Sequence, residues 1–214
     1  MASTKTVEFY FDFGSPTAYL AWTQLPRIAM EMRAGIAWRP MLLGGVFKAT
    51  GNASPMTVPL KSKWSATDLP LWARHYKVPF NRNPFFPVNT LALMRGAAAA
   101  QIDGTFGRYH PAIFKAMWVD GRNLNEPSEI AAVLTAAGLD AQKFASRLQD
   151  QDVKDRLKTT TDEAVARGVF GAPTCFVDGT LFFGNDRLDF VELADRKSTR
   201  LNCSHVSESR MPSS

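Results

Sequence analysis

Three short stretches carry the residues whose types and spacing could do chemistry. The first is FDFGSPTAYLAW, residues 11–22. An apolar run, Val7–Phe11, leads into Gly14-Ser15-Pro16, after which apolar residues recur at helical spacing. Ser15 falls where a helix N-cap belongs, and Pro16 fits the first helical position, whose N–H has no partner in any case. Ser15 is therefore a cap, a reactive hydroxyl at a strand-to-helix corner, or both. A thiol on a helix N-terminus has a lowered pKa, but the corner residues Ser15, Pro16, Thr17 and Ala18 include no cysteine. Disulfide exchange at this corner is excluded. A serine hydroxyl there can still donate a hydrogen bond to a thiolate brought by another molecule, drawing its pKa from about 8.5 toward neutrality.

The second stretch is GVFGAPT, residues 168–174. Pro173 precedes an apolar run and is a candidate cis proline; a trans proline shaping a turn is the plain alternative. A cis bond would leave the N–H and C=O of Ala172 free to pair with an extended peptide, as an added strand would. The third stretch is FGNDRLD, residues 183–189. Asn185 and Asp186 stand at the start of a helix, where capping is their commonest task. Free N–H groups at such an end also bind carboxylates, and Asp186 could accept from an ammonium group. Together they suit a zwitterionic amino-acid head, such as the γ-glutamyl end of glutathione.

These stretches need elements to position them. Val7–Phe11 reads as a buried strand, and residues 16–33 as a helix with Ala18, Trp22, Leu25, Ala29 and Met32 on one stripe, kinked or split by Pro26. Residues 35–42, GIAWRPML, read as a second strand, giving a β-α-β opening that favours a parallel pair. Gly44 to Pro59 is rich in Gly, Pro, Asn and Ser and predicts an ordered loop or short irregular helices. Helices follow over ATDLPLWARHY, over 90–101 with Thr90 or Asn89 as cap, over 105–118, from Pro127 to Gly138, after Asp140, and over 151–167. The chain then returns to strands at Thr174–Val177 and Leu181–Phe183 around an Asp178-Gly179 turn, followed by a helix from Asn185 or Asp186. The order β-α-β, helical block, β-β-α is that of an α/β thioredoxin-like domain with a large all-helical insertion. Residues 1–45 and 165–194 form the discontinuous domain and 46–164 the insertion. In that arrangement Pro173 lies opposite the Ser15 corner, which favours cis.

The 214 residues suffice for a full core, and 15 Phe with 5 Trp indicate a folded protein. No run of 18 apolar residues suggests a membrane span, and no signal peptide is read at the N-terminus. Two distant cysteines give neither a disulfide framework nor a metal cluster, so a cytoplasmic setting is the default. His75 and His110 lack metal-ligand spacing, no metal is expected, and Cys175 reads as a small buried hydrophobe. The net charge is +5, but the basic residues are dispersed, which argues against nucleic-acid binding. Residues 195–214 have little apolar periodicity, contain Cys203, and resemble an adapter-derived read-through. They are set apart as a non-native or disordered tail.

YFDFGSPTAYLA, LLGGVFKATGN, FPVNTLALMRG and VFGAPTCFVDGTLFFGNDRLDFV together resemble the 2-hydroxychromene-2-carboxylate isomerases and the related kappa-class glutathione transferases. The resemblance covers residues 6–194 and keeps the order and spacing of every block. It implies glutathione as cofactor, a small aromatic substrate and a homodimer. By motif, Ser15 matches the serine that contacts the glutathione sulfur. Asn52 and Lys61 match positions near the bound tripeptide, with Lys63 as the substitute if Lys61 is only part of an exposed charged turn. Ala172, before Pro173, matches the residue whose backbone pairs with the cysteinyl unit, and Asn185 and Asp186 match the γ-glutamyl clamp. Phe13, Phe47, Trp64, Phe85 and Phe86 are candidates for an apolar substrate wall, each with a core role as the alternative. The implied reaction is a cis–trans isomerisation by reversible thiolate addition. Conjugation or peroxide reduction by the same thiolate is the second reading, and a non-catalytic glutathione-binding module the third. A serine hydrolase is disfavoured, since no Gly-x-Ser-x-Gly elbow or placed His–Asp pair is present.

Overall fold

The computed structural model describes residues 5–194; the predicted tail and Cys203 lie outside the described residues. Four strands form one sheet in the order β2-β1-β3-β4. β1 (Thr6–Phe11) runs parallel to β2 (Gly35–Pro40) and antiparallel to β3 (Thr174–Val177), which pairs with β4 (Thr180–Phe183). β1 is central and covered on both sides, which is why it reads as a continuous apolar run rather than an alternation. Phe9 and Phe11 meet Trp38, Phe106 and Phe114, while Glu8 and Tyr10 meet Arg167. Asp178 and Gly179, both at positive φ, make the β3–β4 turn as the Asp-Gly pair predicts.

Helix α1 (Pro16–Glu31) links β1 to β2 and is unbroken, contrary to the kink or split expected at Pro26. Pro26 lies on the exposed face, so the lost backbone bond falls where water can replace it. Leu25, Ile28 and Ala29 around it are anchored in the core. Between β2 and β3 the described chain is helical: α2 (Leu43–Thr50), α3 (Pro59–Tyr76), α4 (Leu91–Ile102), α5 (Phe106–Trp118), α6 (Pro127–Ala136), α7 (Ala141–Arg147) and α8 (Gln151–Ala166). The fold is therefore α/β, a thioredoxin-like sheet with a helical insertion. Two helices exceed the sequence expectation. The GG-containing segment after Leu42 forms α2, and α3 begins seven residues before ATDLPLWARHY, so Lys61 and Lys63 are helical rather than part of a turn. After β4 a short 3-10 turn, Asn185–Arg187, runs into helical residues 188–194.

The helical block closes tightly at Gly96 of α4. A Cβ there would overlap the ring of Phe144 and the hydroxyl of Tyr109, which itself donates to Leu93 O. Gly96→Ala gains about 1 kcal/mol of helix propensity but forces α5 and α7 outward. The expected outcome is a net loss of about 2 kcal/mol, read as a Tm lower by about 4–8 °C in a thermal melt. An unchanged or higher Tm would show that the propensity gain prevails.

Candidate active site

The corner is built from a cap, a buried acid and a returning loop. Ser15 is the N-cap of α1, with extended backbone, and its Oγ accepts from the N–H of Ala18 at 3.1 Å. The same Oγ donates to the carbonyl of Ala172 at 2.9 Å. Thr17 Oγ1 donates to that carbonyl at 3.2 Å, and the two hydroxyl oxygens lie 3.0 Å apart. Ser15 is thus a cap and also the contact between α1 and the loop before β3. Thr17 was not singled out in the sequence; its place two residues after the cap, in the first turn of α1, was the available signal.

The Ala172–Pro173 peptide is cis. The expectation that Ala172 presents both backbone groups is corrected in one half: its carbonyl is held by the two hydroxyls, while its N–H makes no hydrogen bond among the described residues. From Ala172 the path continues to the third stretch, because Gly184 N–H donates to Pro173 O at 3.0 Å. Asn185 follows, buried, its carbonyl accepting from the Tyr76 hydroxyl at 2.6 Å. Burial first, with the negative charges of Asp189 and Asp186 adding to it, pushes the Tyr76 pKa up to about 12. Tyr76 is therefore a firm donor. Neither Asn185 nor Asp186 caps the turn with its side chain, contrary to the capping alternative. The Asn185 side-chain nitrogen is buried without a partner, and Asp186 forms an ion pair with Arg187 at 2.7 Å.

Asn52, just past α2, donates to Phe170 O at 2.8 Å, two residues before Ala172. The 170–173 loop and Gly184 therefore bring Ser15, Thr17, Asn52, Ala172, Pro173 and Asn185 together, with Asp186 next in the chain. Lys61 is exposed in the first turn of α3, the helix whose last residue, Tyr76, reaches Asn185. No hydrogen bond or ion pair joins Lys61 to the corner among the described residues. Of the aromatic candidates, Phe13 is corrected: it is wholly buried against Phe11, Tyr109 and Phe114 and has no face to offer a substrate. Phe86 leans on Trp118, Phe47 is half-buried on α2, and Trp64 and Phe85 are exposed. Burial pushes the Cys175 thiol up to about 12, so it is inert. Among the described residues no group of three or more His, Cys, Asp or Glu is placed to hold a metal ion.

The profile of the DsbA-like thioredoxin domain matches residues 6–194. A 2-hydroxychromene-2-carboxylate isomerase of Sphingobium xenophagum is 34% identical over 193 residues, 88% of this chain and 97% of that protein. The chain belongs to this isomerase family. A solved structure of a 2-hydroxychromene-2-carboxylate isomerase superposes with a TM-score of 0.81 at 30% identity, covering 93% of this chain and 98% of that one. Glutathione S-transferase kappa 1 of Homo sapiens is 29% identical over 205 residues, 87% of this chain and 89% of that protein. The chain is thus an enzyme of an isomerase family with kappa-class transferase relatives, and the resemblance read from its motifs holds over the same residues. Among the described residues no helix is long and apolar enough to cross a membrane.

Beneath the corner lies Asp12, 1% exposed and with no ion pair to a cation among the described residues. Its carboxylate accepts from Gly14 N and Leu43 N, both at 2.8 Å, and from the Thr90 hydroxyl at 3.1 Å. Burial raises its pKa above the ordinary carboxylate value, and these three bonds oppose the rise. With a raised folded-state pKa, Asp12 contributes stability that is whole below about pH 3.9 and is lost as pH rises through the folded value. Asp12→Asn abolishes that titration. Urea denaturation at a series of pH values should therefore show the variant gaining on the native chain as pH rises through that window. Two parallel stability curves would contradict the assignment.

Proposed function

We propose that this enzyme is a glutathione-dependent isomerase that interconverts 2-hydroxychromene-2-carboxylate and trans-o-hydroxybenzylidenepyruvate, a step of aromatic hydrocarbon catabolism. The observation that carries the reading is a buried serine hydroxyl, where a redox thiol would otherwise stand, at the N-terminus of a 16-residue helix beside a spare backbone N–H. Such a site has no sulfur of its own, yet it is built to favour one. The kappa-class relatives, glutathione transferases by name, support glutathione as its source.

The residues fit the tripeptide. Ala172 N–H, which has no hydrogen-bond partner among the described residues, would donate to the cysteinyl carbonyl. Asn185, with its unpartnered side-chain nitrogen, and Asp186 would take the γ-glutamyl head, Asp186 exchanging Arg187 for the ligand's ammonium group. Asn52 and Lys61 would receive the glycyl end, the exposed ammonium of Lys61 meeting its carboxylate. When bound, glutathione would supply a thiolate able to add reversibly to the conjugated side chain of the ring-opened hemiketal, which permits rotation about the carbon–carbon double bond and leaves the tripeptide unconsumed. Ser15 donates its hydroxyl proton as a hydrogen bond to the sulfur. The α1 N-terminus adds positive potential at the same point. Phe47, Trp64, Phe85 and Phe86 are the aromatic side chains available to form the substrate wall. The family resemblance adds a homodimer to this reading, and the sparse, distant cysteines a cytoplasmic setting.

Conjugation to an electrophile by the same thiolate is the rival reading, favoured by the kappa-class relatives. The two differ in whether glutathione is consumed. In a spectrophotometric assay with 2-hydroxychromene-2-carboxylate, turnover should require glutathione and leave its concentration unchanged. Ser15→Ala should lower kcat/KM by about 10²-fold, the typical loss on removing one preorganised donor. Turnover without glutathione, or full activity in the variant, would defeat the mechanism; steady loss of free thiol would favour the transferase.

A further inference from the structure

The corner holds two hydroxyls where the proposed chemistry uses one. Ser15 has a single proton, and in this structure that proton is given to the Ala172 carbonyl. One of its oxygen lone pairs is taken by Ala18 N–H, so the hydroxyl is fixed in place by the helix start. Turning the proton toward a sulfur would strip the carbonyl of a partner at a residue only 9% exposed. A buried carbonyl left unpaired is a standing cost against the turn. Thr17 removes that cost. Its Oγ1 already lies 3.2 Å from the same carbonyl and 3.0 Å from Ser15 Oγ. The backbone of Thr17 is held in the first turn of α1, and its β-branch restricts rotation about χ1.

We propose that Thr17 is a positioning residue: it holds the Ala172 carbonyl so that the Ser15 proton is free to be given to a bound thiolate. Two hydroxyl protons then serve two acceptors, one each, and neither the carbonyl nor the sulfur is left without a donor. Without Thr17 the Ser15 proton has two claimants, and the carbonyl, always present, competes with the sulfur. The inference rests on the reading of the corner as a glutathione site.

The test titrates bound glutathione by the ultraviolet absorbance of its thiolate, with binding measured by calorimetry across the same pH range. Thr17→Val keeps the shape and removes the hydroxyl; Thr17→Ala removes it without the β-branch; Thr17→Ser keeps it. The Val and Ala variants should still bind glutathione, with the bound thiol's pKa about one unit higher, a tenfold loss of thiolate near neutrality. Turnover at saturating glutathione should fall in proportion near neutral pH and recover at higher pH, which a loosened corner would not do. Thr17→Ser should titrate as the native chain does. A native thiol pKa in folded Thr17→Val and Thr17→Ala, or a Thr17→Ser that behaves like them, overturns the role of Thr17 alone. If the native chain neither binds glutathione nor lowers its thiol pKa, the glutathione reading falls and this role with it.

Discussion

Three helices begin at one buried carboxylate. Asp12 ends the turn out of β1, and its two oxygens collect Gly14 N–H before the cap of α1, Leu43 N–H at the first residue of α2, and the hydroxyl of Thr90 before α4. Each helix start presents donors that lack partners within its own helix, and each carries partial positive charge. A single acceptor for all three fixes their origins relative to the sheet. A carboxylate without a cation is expensive to bury, and its hydrogen bonds are what make the burial tolerable. The helical insertion is thereby pinned to the strand that carries the site, through α2 and α4. The corner inherits its geometry from this junction: Asp12 O also accepts from Ser15 N–H at 3.0 Å.

From that fixed corner the site is assembled by backbone contacts more than by side-chain pairs. Ser15 and Thr17 hold Ala172, Pro173 holds Gly184, and Asn185 is held by Tyr76 from α3. The loop before β3 therefore touches the start of α1 and the turn after β4. A ligand laid along this path would meet groups from three distant parts of the chain. In the proposed cycle the helix dipole and one hydroxyl act on the same atom. That is a small set of groups, and an addition that leaves the cofactor unchanged asks for little more.

Sequence reasoning reaches these features unevenly, and the reason is whether the signal is local. Val7–Phe11, the Asp178-Gly179 hairpin and the Asp140 cap are dictated by neighbours in the chain, and all stand in the structure. α2 is different. Its Gly44 and Gly45 weaken a helix, and what holds its start is remote: Asp12 for Leu43 N–H and Thr161 for Leu42 N–H. Thr90 and Asn89 illustrate the same limit. Either could cap α4, but Thr90 is spent on Asp12, leaving Asn89 to accept from Leu91 N–H. Ser15 and the residues around Pro173 are legible as a site because strand, corner and helix follow in sequence. The occupancy of the Ala172 carbonyl is not, because it depends on how a segment some 155 residues later comes to rest against α1.

Cys175 gives the arrangement a further meaning. Among the described residues it is the one free cysteine, sealed in β3 with its thiol pushed up to about 12. A thiolate is what oxidants attack, and such a thiol offers almost none. In the proposed cycle the reactive sulfur belongs to a diffusible tripeptide rather than to the polypeptide. A sulfur lost to over-oxidation is then a lost small molecule, replaced by exchange from solution. The scaffold outlives its own most vulnerable atom.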